Sequence, residues 1–406
     1  MNEDIQTLDT GLDAVPGFYV QGVHCGIKKV NNDLAVIYSP DPATAAAVFT
    51  TNRVLAAPVT LTREHLEKRG QFQMVVVNSG VANACTGQRG REDAQKMVEV
   101  ATREFDLSST ELVAVASTGV IGDFLPLDKI EKGIQMVRAL YPKDSSGKET
   151  ARAIMTTDTF MKEAAVALSV GGKTVHIAGI AKGSGMIRPH MATMLGFLLT
   201  DATVKREALQ SVLREAVDLS FNRVTVDGDT STNDMVLLLA NGKSGTPLFD
   251  EFHPDFPRFR KALIQVCQKL AKDIARDGEG ATKFINIIVR RAPSEQDART
   301  IAFTVAESPL VKTALFGEDP NWGRIMAAVG RSGVNVIPEK IMITINGYPF
   351  VENGMGTLTM TRNDLRKVIQ NKELEIVIDL GLKDGAFNVW TCDLSFDYIK
   401  INSHYS

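Results

Sequence analysis

The chain has 406 residues, 44% of them hydrophobic and 23% charged, with a formal net charge of -3. That length supports two or more domains with substantial cores, and the charge removes the electrostatic case for nucleic acid or an anionic membrane as a general partner. The segment 1–6 is acidic, without a basic stretch leading into an apolar one. No apolar run approaches the roughly 18–20 residues that cross a bilayer, so a soluble cytoplasmic protein is expected.

Along the chain, apolar runs predict strands at 74–77, 112–115, 175–181, 235–240, 284–289 and 374–380. In the last of these Leu374, Ile376, Ile378 and Leu380 alternate, which predicts one covered face. Helices are equally legible. Ala94, Met97, Val98 and Ala101 recur at i, i+3, i+4, i+7, as do Leu209, Val212, Leu213 and Ala216. A third helix carries Phe259, Leu263, Val266, Leu270 and Ile274, with Pro257 suited to its first turn. Breakers cluster at 141–148 and 241–247, read as surface loops or lobe boundaries. Helices do not alternate one for one with strands, which points to layered α+β with extensive sheet.

The four cysteines, Cys25, Cys85, Cys267 and Cys392, form no CxxC pair, so neither a disulfide framework nor a Cys-rich zinc site is indicated. Cys267 on the apolar side of a helix and Cys392 within a strand read as buried thiols. The six histidines show no HxxxH or HExxH spacing, so no zinc hydrolase is indicated.

The segment 182–196 carries the sharpest local signal. Gly183-Ser184-Gly185 follows a strand, but Arg188 replaces the third glycine of a dinucleotide loop and Pro189 stands where the helix should start. No phosphate-loop lysine follows either. Glycines here let the backbone pass close to a reacting centre, with Lys182 supplying a cation. Thr193 follows Ala192. Cutting that bond would place the Thr193 hydroxyl beside its own α-amino group, a base whose reference pKa is roughly 7.7–8.0. By itself, a Thr at a strand start is most simply a Thr at a strand start. His190 stands three residues before it, with no spacing that aims it at the hydroxyl.

Upstream, 113–122 reads as a strand entering a hydroxyl–glycine turn. The Thr118 hydroxyl and Gly119 N–H form a possible donor pair for a developing oxyanion. The acidic run 227–234 resembles the start of a calcium loop, but Thr232 occupies the required glycine position and Leu238 that of the bidentate Glu. A polar network bracing a site is the reading retained. Trp322 beside Pro320 is read as packing.

Together the segments 117–122, 182–187 and 191–195 resemble the ornithine acetyltransferase (glutamate N-acetyltransferase, ArgJ) family. The resemblance extends through 78–87, 155–159, 226–234, 278–283, 317–324 and 402–405, in order and over essentially the whole chain. It implies a layered α/β/β/α-type sandwich, DmpA/ArgJ-like, with two lobes and the active site between them. It also implies self-cleavage between Ala192 and Thr193, giving chains 1–192 and 193–406. Thr193 would be the nucleophile, with Thr118 and Gly119 as the oxyanion hole. Thr156, Thr157, Lys182, Thr193, Glu279, Asn402 and Ser406 would contact substrate, Thr156 and Thr157 standing as alternatives. The chain ends in Ser406 where relatives often have Thr, which keeps a hydroxyl.

The implied reaction moves an acetyl group from N-acetylornithine to glutamate in arginine biosynthesis, with no metal or organic cofactor. Acetyl-CoA is an open second donor, and a heterotetramer of two cleaved pairs is the implied assembly. Two other classes compete: a self-cleaving amidohydrolase or aminopeptidase that sends the acyl group to water, and a non-catalytic amino-acid-binding protein on the same scaffold.

Overall fold

A computed structural model describes residues 5–188 and 194–403. The expected cleavage pair Ala192 and Thr193, together with His190 and Ser406, lies outside the described residues. Contacts divide the chain into two units: Met1–Asn222 with Asp229–Ala271, and Arg223–Gly228 with Lys272–Ser406.

The first unit is organised by one long strand, Leu34–Phe49. Its first half pairs with Tyr19–Val23 and with Gln71–Val81, which in turn pairs in parallel with Val113–Val120. Its second half pairs with Met235–Ala240, beyond which lie Leu195–Thr200, Lys173–Lys182, Lys162–Val170 and Gln6–Leu8. The ladder with Gln71–Val81 breaks between Tyr38 and Ala43, at Pro40 and Pro42, because proline cannot donate to a ladder.

The two halves of this sheet pack on each other. Ala35, Ile37, Val75, Val77, Ala114 and Ala116 of one half share a core with Ala178, Ile180, Leu195, Phe197, Leu199, Leu237 and Leu239 of the other. Residues of opposite parity on the first half, among them Leu34, Val36, Met74 and Val113, face outward. They bury the apolar stripes of helices Gly87–Glu104 and Leu127–Leu140. On the other half, helix Arg206–Asp218 packs on Leu34–Phe49 and Met235–Ala240. Leu270 of helix Phe256–Arg276 fills the space that Gly179 leaves open. The expected α/β/β/α layering is therefore the architecture of this unit.

The second unit has a six-stranded sheet in the order Met355–Gly356, Tyr348–Glu352, Met342–Ile345, Glu373–Asp379, Phe284–Ala292, Gly385–Cys392. Leu374, Ile376, Ile378 and Leu380 line its buried face, as their alternation predicts. Helices Glu295–Ala306 and Trp322–Gly330 cover that face, and Trp322 packs against its core.

Four local expectations change. The long Leu34–Phe49 strand is unpredicted, since its prolines interrupt the apolar pattern and its alanine-rich half suggests helix. Gly147 and Lys148 are not loop but open the helix Gly147–Ile154, because the Ser146 hydroxyl accepts the Glu149 N–H as an N-cap. Neither 141–148 nor 241–247 marks a unit boundary. Thr118 and Gly119 lie within the strand Val113–Val120 rather than in a turn. Cys267 and Cys392 are buried, and burial pushes the Cys267 thiol up to about 12. Among the described residues no helix is long and apolar enough to cross a membrane.

Phe197 and Phe72 are the largest side chains in the inter-sheet core of the first unit, and both are fully buried. Phe197→Ala is expected to cost about 3–5 kcal/mol through lost burial and a residual cavity. A denaturant midpoint unchanged from wild type would contradict the two-layer packing.

Candidate active site

Strand alternation places the first two functional side chains. Ala114 and Ala116 face the inter-sheet core, and the same parity carries Thr118 to that face at the end of its strand. On Lys173–Lys182, Ala178 and Ile180 face the same core, and Lys182 is the next residue of that parity. Thr118 and Lys182 thus meet at the ends of their two strands. Lys182 Nζ donates to Thr118 Oγ at 3.1 Å and to Thr156 Oγ at 2.7 Å. Thr118 is 8% exposed and Lys182 4%. An ammonium only donates, so both hydroxyl oxygens accept from it and their own O–H groups are left to donate elsewhere. That is the polarity an oxyanion donor requires.

Gly119 is held against the neighbouring strand. A Cβ there would lie 2.2 Å from the Gly80 carbonyl carbon, and its φ of +132° excludes other residues as well. The Thr156/Thr157 alternative divides spatially. Thr156 shares Lys182, whereas Thr157 Oγ lies 2.6 Å from Ser184 Oγ in the glycine-rich loop.

Asp158 was not singled out from sequence, yet it organises this cluster. Its Oδ1 accepts from Lys162 Nζ at 2.6 Å and from the Gly183 N–H at 2.7 Å, while Oδ2 accepts from the Thr156 N–H at 3.0 Å. The Asp158 and Lys162 side chains are both completely buried. Burial alone would raise the Asp158 pKa. The Lys162 and Lys182 ammonium groups and the Gly183 N–H outweigh it and hold the carboxyl at about 2. One carboxylate therefore fixes the residue before Thr157, the start of the glycine loop and the charge beside Lys182. The only sequence trace is an Asp four residues before the Lys that opens the strand Lys162–Val170.

Asp234 holds the other side of the loop. Its Oδ1 accepts the Met194 N–H at 2.8 Å, and the Met235 N–H donates to the Met194 carbonyl. Asn233 donates through Nδ2 to the carbonyls of Ala82 and Ser117, at 2.6 and 2.9 Å. Thr50 Oγ donates to the Ser231 carbonyl. The run 229–234 is thus the bracing network expected of it, while Asp227 belongs to the second unit and accepts from Tyr398 OH.

In the second unit Glu279 and Asn402 come together. Asn402 Nδ2 donates to Glu279 Oε2 at 2.8 Å, and Glu279 is 8% exposed. The turn that carries Glu279 is fixed from behind. Asp393 accepts the N–H groups of Thr282 and Lys283, and Ser395 Oγ donates to the Gly280 carbonyl. Gly280 has φ +68°, and a Cβ there would lie 2.6 Å from the Tyr398 nitrogen.

Asp158→Asn removes the charge that compensates a buried lysine and is expected to destabilise the chain by about 3–5 kcal/mol. The pH dependence has a definite sign. The folded carboxyl is depressed from 3.8 to about 2, so its stabilisation is complete above about pH 4 and is lost as pH falls toward 2. The shift corresponds to about 2 kcal/mol. Chemical denaturation across that window should therefore show the gap between wild type and Asp158→Asn narrowing with acid; a constant gap would contradict the assignment.

Comparison with known proteins shows which family the chain resembles over its length. The chain is 46% identical over 406 residues to the "Arginine biosynthesis bifunctional protein ArgJ" of Bacillus subtilis strain 168, covering all of this chain and 99% of that one. It is 46% identical over 391 residues to the protein of the same name from Listeria monocytogenes serotype 4b, covering 96% of each. A crystal structure of ArgJ from Bacillus halodurans is 41% identical, covers 50% of this chain and 96% of its own, and aligns with a TM-score of 0.49. The ArgJ family pattern matches residues 19–406. The family pattern and the two full-length relatives show that the chain belongs to the ArgJ family.

Proposed function

We propose that this enzyme is a self-processing N-terminal-threonine acyltransferase that moves an acetyl group from N-acetylornithine to glutamate. The observation that carries the proposal is the Thr118–Lys182–Thr156 cluster. It holds a hydroxyl with its proton free to donate and a buried cation in one place, on a chain of an arginine-biosynthesis family.

In the first stage, Thr193 Oγ attacks the Ala192 carbonyl carbon, and the Ala192–Thr193 bond shifts from nitrogen to oxygen. Water then hydrolyses the ester, leaving an Ala192 carboxylate, the Thr193 hydroxyl and a free α-amine. Asp234 suits this step because it fixes the amide of Met194, immediately after Thr193. The cut chains 1–192 and 193–406 would remain joined by sheet pairing. The strand Leu195–Thr200 lies between Lys173–Lys182, before the cut, and Met235–Ala240, after it.

In the second stage, the Thr193 α-amine takes the hydroxyl proton as Oγ attacks the acetyl carbonyl of N-acetylornithine. The Thr118 hydroxyl and Gly119 N–H stabilise the oxyanion. The proton passes to the departing ornithine nitrogen, leaving an acetyl ester on Thr193. The amine of glutamate attacks that ester, N-acetylglutamate leaves and Oγ regains its proton. Lys182 and Thr156 suit the substrate carboxylate, and Glu279 with Asn402 suits a distal ammonium. Ser406 is proposed as a further contact. Neither metal nor organic cofactor enters this route. The word "bifunctional" in the names of the relatives supports acetyl-CoA as a second acetyl donor to glutamate. The proposed assembly is a heterotetramer of two cleaved pairs, in the cytoplasm.

Denaturing mass spectrometry is the deciding measurement. Wild type should separate into fragments 1–192 and 193–406, and Thr193→Ala should remain one chain of 44.2 kDa. Incubation with N-acetylornithine should add one acetyl group to the 193–406 fragment, discharged by glutamate. An intact wild-type chain would favour the binding-protein reading. Acetate released without N-acetylglutamate would favour the amidohydrolase.

A further inference from the structure

The loop before the long strand presents a second lysine to the Thr156 cluster. Its construction centres on Asp33, a fully buried carboxylate. Asp33 Oδ1 accepts the Cys25 N–H at 2.7 Å and the Cys25 thiol at 3.1 Å, and Oδ2 accepts the N–H groups of Gly26 and Lys28, both at 3.0 Å. Its Oδ2 also lies 3.2 Å from His24 Nδ1. Three backbone N–H groups within four residues are thereby pinned around one anion, which leaves the Lys28 side chain a defined starting point.

From there the Lys28 stem lies against Gly80, where a Cβ would come within 3.1 Å of Lys28 Cγ. Gly80 is the residue paired with Gly119. The Lys28 Nζ donates to the Met155 carbonyl at 2.9 Å, immediately before Thr156. Among the described residues that carbonyl is its one hydrogen-bond acceptor, so two of its three protons remain for a ligand. Burial and the neighbouring Lys182 charge both discourage the cationic form, while Asp33 and Asp158 favour it. An ammonium held half-buried beside a second ammonium is stabilised when an anion arrives between them. Lys182 meanwhile commits two of its donors to Thr118 and Thr156.

We infer that Lys28 is a second substrate-binding cation of this site, acting with Lys182 on the α-carboxylate common to both amino-acid substrates. The inference rests on the acetyl-transfer reading above. It explains why the chain buries Asp33 to hold a short surface loop against the Gly80–Gly119 strand pair.

The test is steady-state acetyl transfer from N-acetylornithine to glutamate by wild type, Lys28→Gln, Lys28→Met and Lys28→Arg. Lys28→Gln keeps a donor for the Met155 carbonyl and drops the charge, so it guards against a folding defect in Lys28→Met. For Lys28→Gln, KM should rise about tenfold for both substrates with kcat nearly unchanged, and Lys28→Arg should recover most of the loss. N-acetylornithine amide, which lacks the carboxylate, should be a poor donor for wild type and no poorer for Lys28→Gln. An unchanged KM in Lys28→Gln, or an equal further loss with the amide, would overturn the inference alone. A wild-type enzyme that transfers no acetyl group would overturn the reaction reading and this inference with it.

Discussion

Asp158 is a carboxylate removed from water and surrounded by the lysines and backbone N–H groups that make its burial tolerable. Taking a carboxylate out of water costs several kcal/mol unless cations and donors replace the solvent. Here Lys162, Lys182 and the N–H groups of Thr156 and Gly183 do so. The same bonds that stabilise the anion fix the end of one strand, the start of the glycine loop and the segment that carries Thr156. Positioning of the site and compensation of the buried charge are one set of interactions, which is why the site geometry does not depend on flexible surface contacts.

The device recurs. Asp33, Asp234 and Asp393 are also buried; Asp33 accepts three backbone N–H groups, Asp393 two and Asp234 that of Met194, each from a segment that lacks a regular ladder. Asp33 holds the loop that presents Lys28, Asp234 holds Met194, and Asp393 holds the turn after Glu279. Loops carry backbone donors that no sheet or helix satisfies, and an unsatisfied buried donor costs free energy. A short carboxylate side chain with several acceptor sites answers two or three of them at once. Charge-assisted bonds are stronger than neutral ones, so the loops gain rigidity as well as satisfaction.

Much of the scaffold was legible from pattern. Six predicted strands and three predicted helices are present, because their apolar residues repeat at the period their element requires. The Leu34–Phe49 strand escaped because its prolines sit in the one place where its ladder is interrupted, a fact about pairing rather than composition. Gly147 reads as a breaker because a glycine gives no helical signal, although Ser146 followed by Glu149 three residues later has the spacing of a helix start. For the site, Thr118, Gly119 and Lys182 stand out from local pattern and Thr156 from the family resemblance, but Asp158, Lys162 and Lys28 do not. A buried ion pair looks in sequence like two surface charges.

The amino-acid sequence by itself determined the apolar periodicities, the glycines at close approaches, and the motifs that mark an ArgJ-family chain. Those properties are local or are carried by the order of short segments. Only the tertiary structure decided that Thr156 rather than Thr157 shares Lys182, that Thr118 and Lys182 meet across two sheet layers, and which carboxylates are buried. These depend on which faces the folded strands turn toward each other. Residues 64 positions apart, such as Thr118 and Lys182, acquire a common chemistry only when parity, pairing and layer stacking place both side chains in the same few ångströms of low-dielectric space.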